Sequence, residues 1–359
     1  MEKPKIIVSG INLTSGGILS ILLDCLTYLK NLTDEYDIIV LINNKKLVGN
    51  LANNFTFIEY PLSKKSWFIR CYYEYIHFYF LSKRIRPYLW LSLHDITPNV
   101  SAERLAVYCH NPSPFYKVRN DELFLDKKFT LFTWFYKYLY KINIHKNDYV
   151  IVQQQWMRDA FRKMYEINKI IVASPKMDDT FVENKNEMIN TFIYPTFSRP
   201  FKNIELIGEA LKLIDDIGIK VLVTIDGSEN AYAKKIVDKY KNLKSISFIG
   251  LQSRKTIFDY YGKVTGLIFP SKLETWGMPM SEFAVTGKMI LASDLPFARE
   301  NLAGYSKAKF FSPDDGKELA DLLQKFILFK NIKFDCIDFK YDEPYAKNWQ
   351  ELFGILLNK

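Results

Sequence analysis

The stretch Gly266-Leu-Ile-Phe269-Pro270-Ser-Lys-Leu-Glu274-Thr-Trp276-Gly277-Met278-Pro279-Met280-Ser281-Glu282 decides how the rest of the sequence is read. Its opening run is apolar throughout, as a parallel strand covered by helices on both faces requires. Gly277 allows a turn without a Cβ, and Pro279 suits the first position of a helix, where its missing N–H is not needed. The N–H groups around Met278, Met280 and Ser281 then face an anion, with the helix dipole behind them. Glu274 lies on the loop before the turn and Glu282 in the first helical turn. The two carboxylates therefore flank a phosphate-sized pocket and can accept hydrogen bonds from sugar hydroxyls. An acidic residue in a first helical turn is common on dipole grounds alone. The specific signal is the pair of glutamates set around Gly and Pro directly after a strand.

Strand and helix patterns alternate on both sides of this segment. Strand candidates at 5–9, 37–42, 55–59, 88–93, 105–109, 149–153 and 170–174 are separated by helical patterns at 18–29, 66–85, 129–142 and 155–165. Pro175 and a polar stretch to about residue 187 read as a linker. A second series follows, with strands at 191–194, 220–225, 245–249, 266–269 and 289–292 and helices at 203–216, 230–241, 253–261 and 279–287. A last helical pattern covers 343–357. A chain of 359 residues exceeds what one core usually supports. The expectation is an α/β protein with two doubly wound halves.

The segment 274–282 resembles the E-x7-E element of the retaining GT-B glycosyltransferases of family 4, usually seen as E-x-F-G-x-P-x-x-E, with Trp276 in the aromatic position. The resemblance implies a GT-B fold, two Rossmann-like domains facing a central cleft. Residues 1–175 would form the N-terminal acceptor domain and 176–340 the nucleotide-sugar donor domain, with 341–359 a C-terminal helix returning to the first. It places Glu274 on hydroxyls of the donor sugar and Glu282 on the ribose of the nucleotide. Arg199-Pro-Phe-Lys202-Asn, read as opening the first helix of the second half, matches the family's Arg and Lys on the donor diphosphate, at a shorter spacing than in many members. Such cations oppose the charge developing on a leaving phosphate. Ser15-Gly16-Gly17 resembles the glycine loop that meets phosphates or sugar, although a Gly-Gly pair at a strand–helix turn often serves structure alone.

His110, followed by Asn111 and Pro112, matches the family's histidine near the reacting carbon. His94, also at a strand end, is expected to line the same cleft. Catalytic roles thus fall to His110, Glu274, Lys202 and Arg199, and donor binding to Gly16, Gly17, Gly277, Met278, Pro279, Met280 and Glu282. Ser15 and Asn111 join His94 in the cleft. The stretch 293–300 reads as structural, and His77 and His145 carry no site argument.

The reaction implied is transfer of a hexosyl group, with retention, from a nucleotide-sugar to a saccharide or lipid-linked saccharide. His94-Asp-Ile-Thr-Pro, Tyr108-Cys-His-Asn-Pro and Val152-Gln-Gln-Gln-Trp156 resemble bacterial enzymes of O-antigen or capsular polysaccharide assembly, which act at the inner face of the plasma membrane. No D-x-D occurs, so transfer without a metal is expected, and no cofactor is expected beyond the nucleotide-sugar co-substrate. H-E-x-x-H, the Walker lysine loop, G-x-S-x-G and G-x-G-x-x-G are also absent. Two rivals stay open: a nucleotide-sugar epimerase of GT-B shape, and a basic-aromatic protein that binds membranes or nucleic acid. The second leaves Glu274, Glu282 and Lys202 without a purpose, and no nucleic-acid partner is expected.

Charge is uneven within the net +9. From Lys127 to Lys146 there are five lysines and no acidic residue, interleaved with Phe129, Phe132, Trp134, Phe135, Tyr136, Tyr138 and Tyr140. Between Lys64 and Arg86, six basic residues mix with Trp67, Phe68, Tyr72, Tyr73, Phe78 and Tyr79. Such helices suit the headgroup layer of an anionic membrane, or else are core helices with solvated lysines. The start of the sequence lacks the pattern of a signal peptide, and no apolar run reaches the roughly 18 residues that span a bilayer. Cys25, Cys71, Cys109 and Cys336 are scattered without C-x-x-C spacing, which suits a reduced cytoplasmic interior.

Overall fold

The computed structural model describes residues 2–118, 127–175, 187–215, 217–329 and 332–358. Most of the linker read from the sequence, 176–186, and the side chains of Lys127, Lys128 and Phe129 lie outside the described residues. The chain folds as two compact units. Met1–Phe115, Phe132–Lys176 and Tyr341–Lys359 form one, and Tyr116–Leu131 with Met177–Lys340 the other.

The first unit runs β1 (Lys5–Gly10), α1 (Gly16–Leu29), β2 (Asp37–Ile42), β3 (Thr56–Glu59), α2 (Trp67–Tyr72), α3 (Phe78–Ile85), β4 (Leu89–Ser92), β5 (Arg104–Cys109), α4 (Lys127–Lys141, from Phe132 onward), β6 (Tyr149–Val152), α5 (Gln155–Tyr165) and β7 (Ile170–Ala173). The second runs β8 (Met188–Tyr194), α6 (Ile204–Lys212), β9 (Lys220–Val223), α7 (Ala231–Tyr240), β10 (Ile246–Phe248), α8 (Arg254–Lys263), β11 (Val264–Phe269), α9 (Met278–Ala284), β12 (Met289–Ser293), α10 (Pro296–Asn301), β13 (Ala308–Phe311) and α11 (Gly316–Phe329). The chain then rejoins the first unit with β14 (Tyr345–Ala346) and α12 (Trp349–Leu357).

The first sheet has the order β14-β7-β6-β5-β4-β1-β2-β3 and the second β10-β9-β8-β11-β12-β13. Every pairing between these strands is parallel. Parallel neighbours need long crossovers, and helices supply them, so both sheet faces are covered. Alternation along β1 shows this. Ile6 and Val8 pack with Leu22 and Leu26 of α1 and Leu352 and Phe353 of α12, while Ile7 between them packs with Phe78 and Trp90.

Several element limits differ from the sequence reading for physical reasons. The pattern at 66–85 is interrupted by a π turn over Tyr73–His77, between α2 and α3. The helix expected at 203–216 is a 3-10 turn, Pro200–Lys202, then α6, because Asn203 takes a left-handed φ of 56° between them. The last helix begins only at Trp349, capped by Asn348, because Tyr345–Ala346 is drawn into the sheet beside β7. The elements α10, β13 and α11 have no counterpart in the sequence reading. No helix among the described residues is long and apolar enough to cross a membrane.

Gly266 shows how closely the second sheet packs. A Cβ there would lie 2.8 Å from the Phe192 ring of β8 and 2.9 Å from the Met289 carbonyl of β12. A backbone carbonyl inside a ladder cannot step aside as a side-chain end can. Gly266→Ala is therefore expected to cost about 1–3 kcal/mol through overpacking, measured as a lower midpoint in urea with an unchanged slope.

Candidate functional site

In the second unit the site is built on the loop and helix that follow β11. Gly277 caps α9 with φ 85°, a left-handed conformation that side chains disfavour, and a Cβ there would stand 2.5 Å from the Met280 methyl. The turn is closed by a ring of hydrogen bonds. The Trp276 indole N–H donates to Ser281 Oγ at 2.9 Å, Ser281 Oγ donates to Asn301 Oδ1 at 3.0 Å, and Asn301 Nδ2 donates to the Trp276 carbonyl at 2.7 Å. A phenylalanine at 276 could not make the first of these bonds. The ring ties the loop to α9 and α10 and fixes the positions from which Glu274 and Glu282 project.

Both glutamates are engaged by cations of the same unit. Lys202 Nζ lies 2.5 Å from Glu274 Oε1, in a pair largely shielded from solvent. The same ammonium sits 4.5 Å from the centre of the Phe197 ring, so a cation–π contact adds to the ion pair. Asn203, which follows, donates to the carbonyls of Pro270 and Pro313 at 3.0 and 2.8 Å, pinning the 3-10 turn against the end of β11. Glu282 Oε1 is 3.3 Å from Arg254 Nη2 at the start of α8. Burial first, and the Glu282 charge second, hold the Tyr261 phenol well above its ordinary pKa. Arg199 is exposed on the extended residue before the turn.

Three details of the sequence reading are corrected. Lys202 ends a separate 3-10 turn and Arg199 precedes that turn, so neither opens a helix. Glu282 lies beyond the first turn of α9, which carries no acidic residue, because the helix begins one residue earlier, at Met278. The Met280 N–H, read as facing an anion, donates instead to the Gly277 carbonyl at 2.9 Å, and the Met280 side chain is buried, so this residue holds the turn. Arg254 and Asn301 were not foreseen. Nothing in their local sequence marks them, since each reaches the site from another helix.

In the first unit, the carboxyl ends of β1, β4 and β5 carry a polar cluster. Ser15 precedes α1 without a side-chain cap bond, Gly16 has φ 66°, and a Cβ at Gly16 or Gly17 would meet nothing within 4 Å. Asp95, itself at φ 74°, accepts from the His110 N–H at 2.5 Å, the Asn111 N–H at 3.1 Å and the Tyr140 hydroxyl at 2.9 Å. His110 Nε2 donates to the Leu93 carbonyl at 2.9 Å, since a carbonyl can only accept, and Nδ1 faces the Gln153 amide at 3.4 Å. Burial outweighs the nearby Asp95 charge and lowers the His110 pKa, so the ring is neutral at neutral pH.

His94, expected in a cleft, is buried. Its Nε2 is 2.9 Å from Ser9 Oγ and 3.4 Å from Glu74 Oε1, while Arg70 Nη2 lies 3.3 Å from Nδ1 and donates to the His94 carbonyl at 2.9 Å. A guanidinium can only donate, so Nδ1 is the bare nitrogen and Nε2 carries the proton. Burial and the Arg70 charge push the His94 pKa well down. Burial pushes the Glu74 carboxyl up to about 8, against the pull of Arg70. Among the described residues no cluster of three or more His, Cys, Asp or Glu is arranged to hold a metal.

Residues 175–338 match the family model of glycosyl transferases group 1. The O-antigen chain mannosyltransferase RfbU of Salmonella typhimurium is 23% identical over 253 residues, spanning 68% of this chain and 67% of RfbU. Among solved structures, a glycosyltransferase from Rickettsia africae superposes with a TM-score of 0.64 at 17% identity, covering 92% of this chain and 90% of that one. Anabaena HepE, in complex with UDP and glucose, gives 0.63 at 14% identity, covering 91% and 90%. The chain thus has a two-domain α/β GT-B fold, and its residues 175–338 are similar to group 1 glycosyl transferases.

Glu74 makes stability depend on pH. A carboxyl whose folded value is raised contributes fully below its unfolded value near 4.5, and that contribution is lost as pH rises through about 8. The wild-type protein should lose up to about 1.4 kcal/mol per pH unit across that window relative to Glu74→Gln. Urea unfolding of both proteins at a series of pH values measures the difference. Parallel curves would show that Glu74 ionises normally.

Proposed function

We propose that this chain is a retaining hexosyltransferase that moves a sugar from a nucleotide-sugar to a saccharide, acting without a metal. The observation that carries the reading is the second unit's pair of engaged glutamates, Glu274 with Lys202 and Glu282 with Arg254, on one loop–helix segment of a group 1 glycosyl transferase domain. In this proposal Glu282 accepts from the ribose hydroxyls, with Arg254 orienting its carboxylate. Glu274 accepts from the donor sugar. Lys202 exchanges part of its contact with Glu274 for the donor diphosphate, where its charge offsets that developing on the leaving group. Arg199 adds a second, weaker positive charge. Met278 and Pro279 place the start of α9, and Gly277 lets the backbone approach closely.

The first unit supplies Gly16 and Gly17, where backbone can approach a ligand without side chains between. His110 is held in one neutral tautomer, which fixes the ring edge it presents beside Asn111. The likeness to RfbU, an O-antigen chain mannosyltransferase, supports a role in O-antigen or related polysaccharide synthesis, for which we propose a lipid-linked saccharide as acceptor. An anionic membrane at the cytoplasmic face is then the place of action. The HepE complex supports UDP as the first nucleotide to try.

Calorimetry with UDP, GDP, ADP and their sugar conjugates tests the donor site. One nucleotide is expected to bind and to raise the melting temperature. Glu282→Ala should abolish that shift. Lys202→Ala, checked to be folded, should lower kcat by about 10²–10³, the usual loss for one electrostatic contact to a developing anion. Turnover near wild type in both variants would overturn the assignment. The anomeric configuration of the product, read by NMR, decides retention.

A further inference from the structure

The two aromatic-basic stretches of the first unit are neither wholly core nor wholly surface. Phe78, Tyr136 and Tyr140 turn inward and are buried. Their neighbours turn out. Phe68, Tyr72, Ile76 and Phe80 are exposed along α2 and α3, Phe68 at 89% and Phe80 at 67% of their surface. Trp134, Phe135, Tyr138 and Ile142 are exposed on and just after α4, Trp134 at 65%. Trp67 joins the two sets, its ring lying edge-on to Phe135 at 5.9 Å and to Tyr136 at 6.0 Å.

Four-residue spacing would not keep the first set on one line in a regular helix. Each step drifts by about 40°, so Phe68 and Phe80 would diverge by roughly 120°. The π turn at Tyr73–His77 takes up one extra residue, which returns about 100° of that drift. It therefore aligns the four apolar side chains on one outward stripe while it turns Glu74 inward to His94. The turn is held from outside the helix. Asn99 donates its backbone N–H to the Glu74 carbonyl at 2.9 Å and its side-chain amide to the Tyr75 carbonyl at 3.3 Å. Lys146 Nζ in turn donates to Asn99 Oδ1 at 3.1 Å.

Among the described residues of these two stretches, the exposed charges have one sign. Lys64, Lys65, Lys83, Lys137, Lys141 and Lys146 are exposed, and the one acidic residue between Lys64 and Arg86, Glu74, is buried. A large apolar patch edged by cations of one sign fits neither open water nor a second copy of itself, since two such faces would bring like charges together. It does match a layer that is apolar within and negative at its surface.

We propose that this π-turn-aligned face is a membrane-docking surface for anionic phospholipid, its aromatic side chains entering the interface and its lysines meeting the headgroups. The proposal deepens the membrane part of the function above and rests on it only for the acceptor's identity.

Co-sedimentation of the full-length chain with phosphatidylcholine vesicles, with and without phosphatidylglycerol, tests it. Binding is expected on the anionic vesicles, weakening as salt rises. The combined Phe68→Ser, Phe80→Ser and Trp134→Ser variant should bind at least about tenfold more weakly through lost apolar burial. Lys137→Glu with Lys141→Glu should weaken binding to anionic vesicles only. Nucleotide binding should be unchanged in every one of these variants, which shows them folded. Lack of sedimentation at low salt, or equal binding by the serine variant, would overturn the proposal. So would concentration-dependent dimerisation that the serine changes abolish without affecting vesicles, because the face would then be an interface between copies. If vesicles bind but no nucleotide does, the donor reading fails and this one stands.

Discussion

Parallel pairing in both sheets is the constraint from which the rest of the architecture follows. It obliges each strand to return through a crossover, buries both faces of the sheet, and leaves all carboxyl ends of the strands along one edge. Loops at that edge are the places where a parallel sheet can present polar groups without cutting into its core. Gly16, His94, Asp95 and His110 in the first unit, and Lys202 and Glu274 in the second, come after strands for this reason.

At that edge, polar groups are held chiefly by other polar groups. Asp95 sits in a left-handed conformation, which is strained for a residue with a side chain, and its carboxylate is satisfied by two backbone N–H groups and the hydroxyl of Tyr140. That carboxylate fixes the start of the loop after β5, so His110 inherits its position from a residue fifteen places earlier. The aromatic side chains of α4 share in the arrangement, since Tyr140 touches both Asp95 and the Asn111 carbonyl. One helix thus supports the polar edge with its inner face and offers an apolar stripe with its outer one.

The second unit uses a different device. Its carboxylates are each matched by a cation, and the loop between them is closed by Trp276, Ser281 and Asn301. A partly buried carboxylate without a partner would be costly, so Lys202 both offsets the burial of Glu274 and holds it in place. Tryptophan in the aromatic position is thereby explained: it packs against the core and also donates a hydrogen bond.

The alternating apolar runs were enough to read two doubly wound halves, because burial on both faces leaves a composition that no surface strand shares. The segment from Gly266 to Glu282 was legible for a similar reason, since Gly and Pro have conformational limits that act locally. Short elements were not: α10 and β14 are too brief to show a period, and their neighbours in space hold them. Arg254, Asn301, Arg70 and Glu74 were also beyond reading, for each meets its partner across 20 or more residues of chain. What the chain shows without its fold is the longer apolar strands, the Gly- and Pro-marked turns and the charged residue types gathered near strand ends. Tertiary structure alone decided which of them are exposed, as His94 and Phe68 show: a histidine at a strand end went inside and a phenylalanine on a helix went out. The physical reason is that periodicity fixes the face a residue occupies, whereas the neighbour that covers that face comes from distant chain.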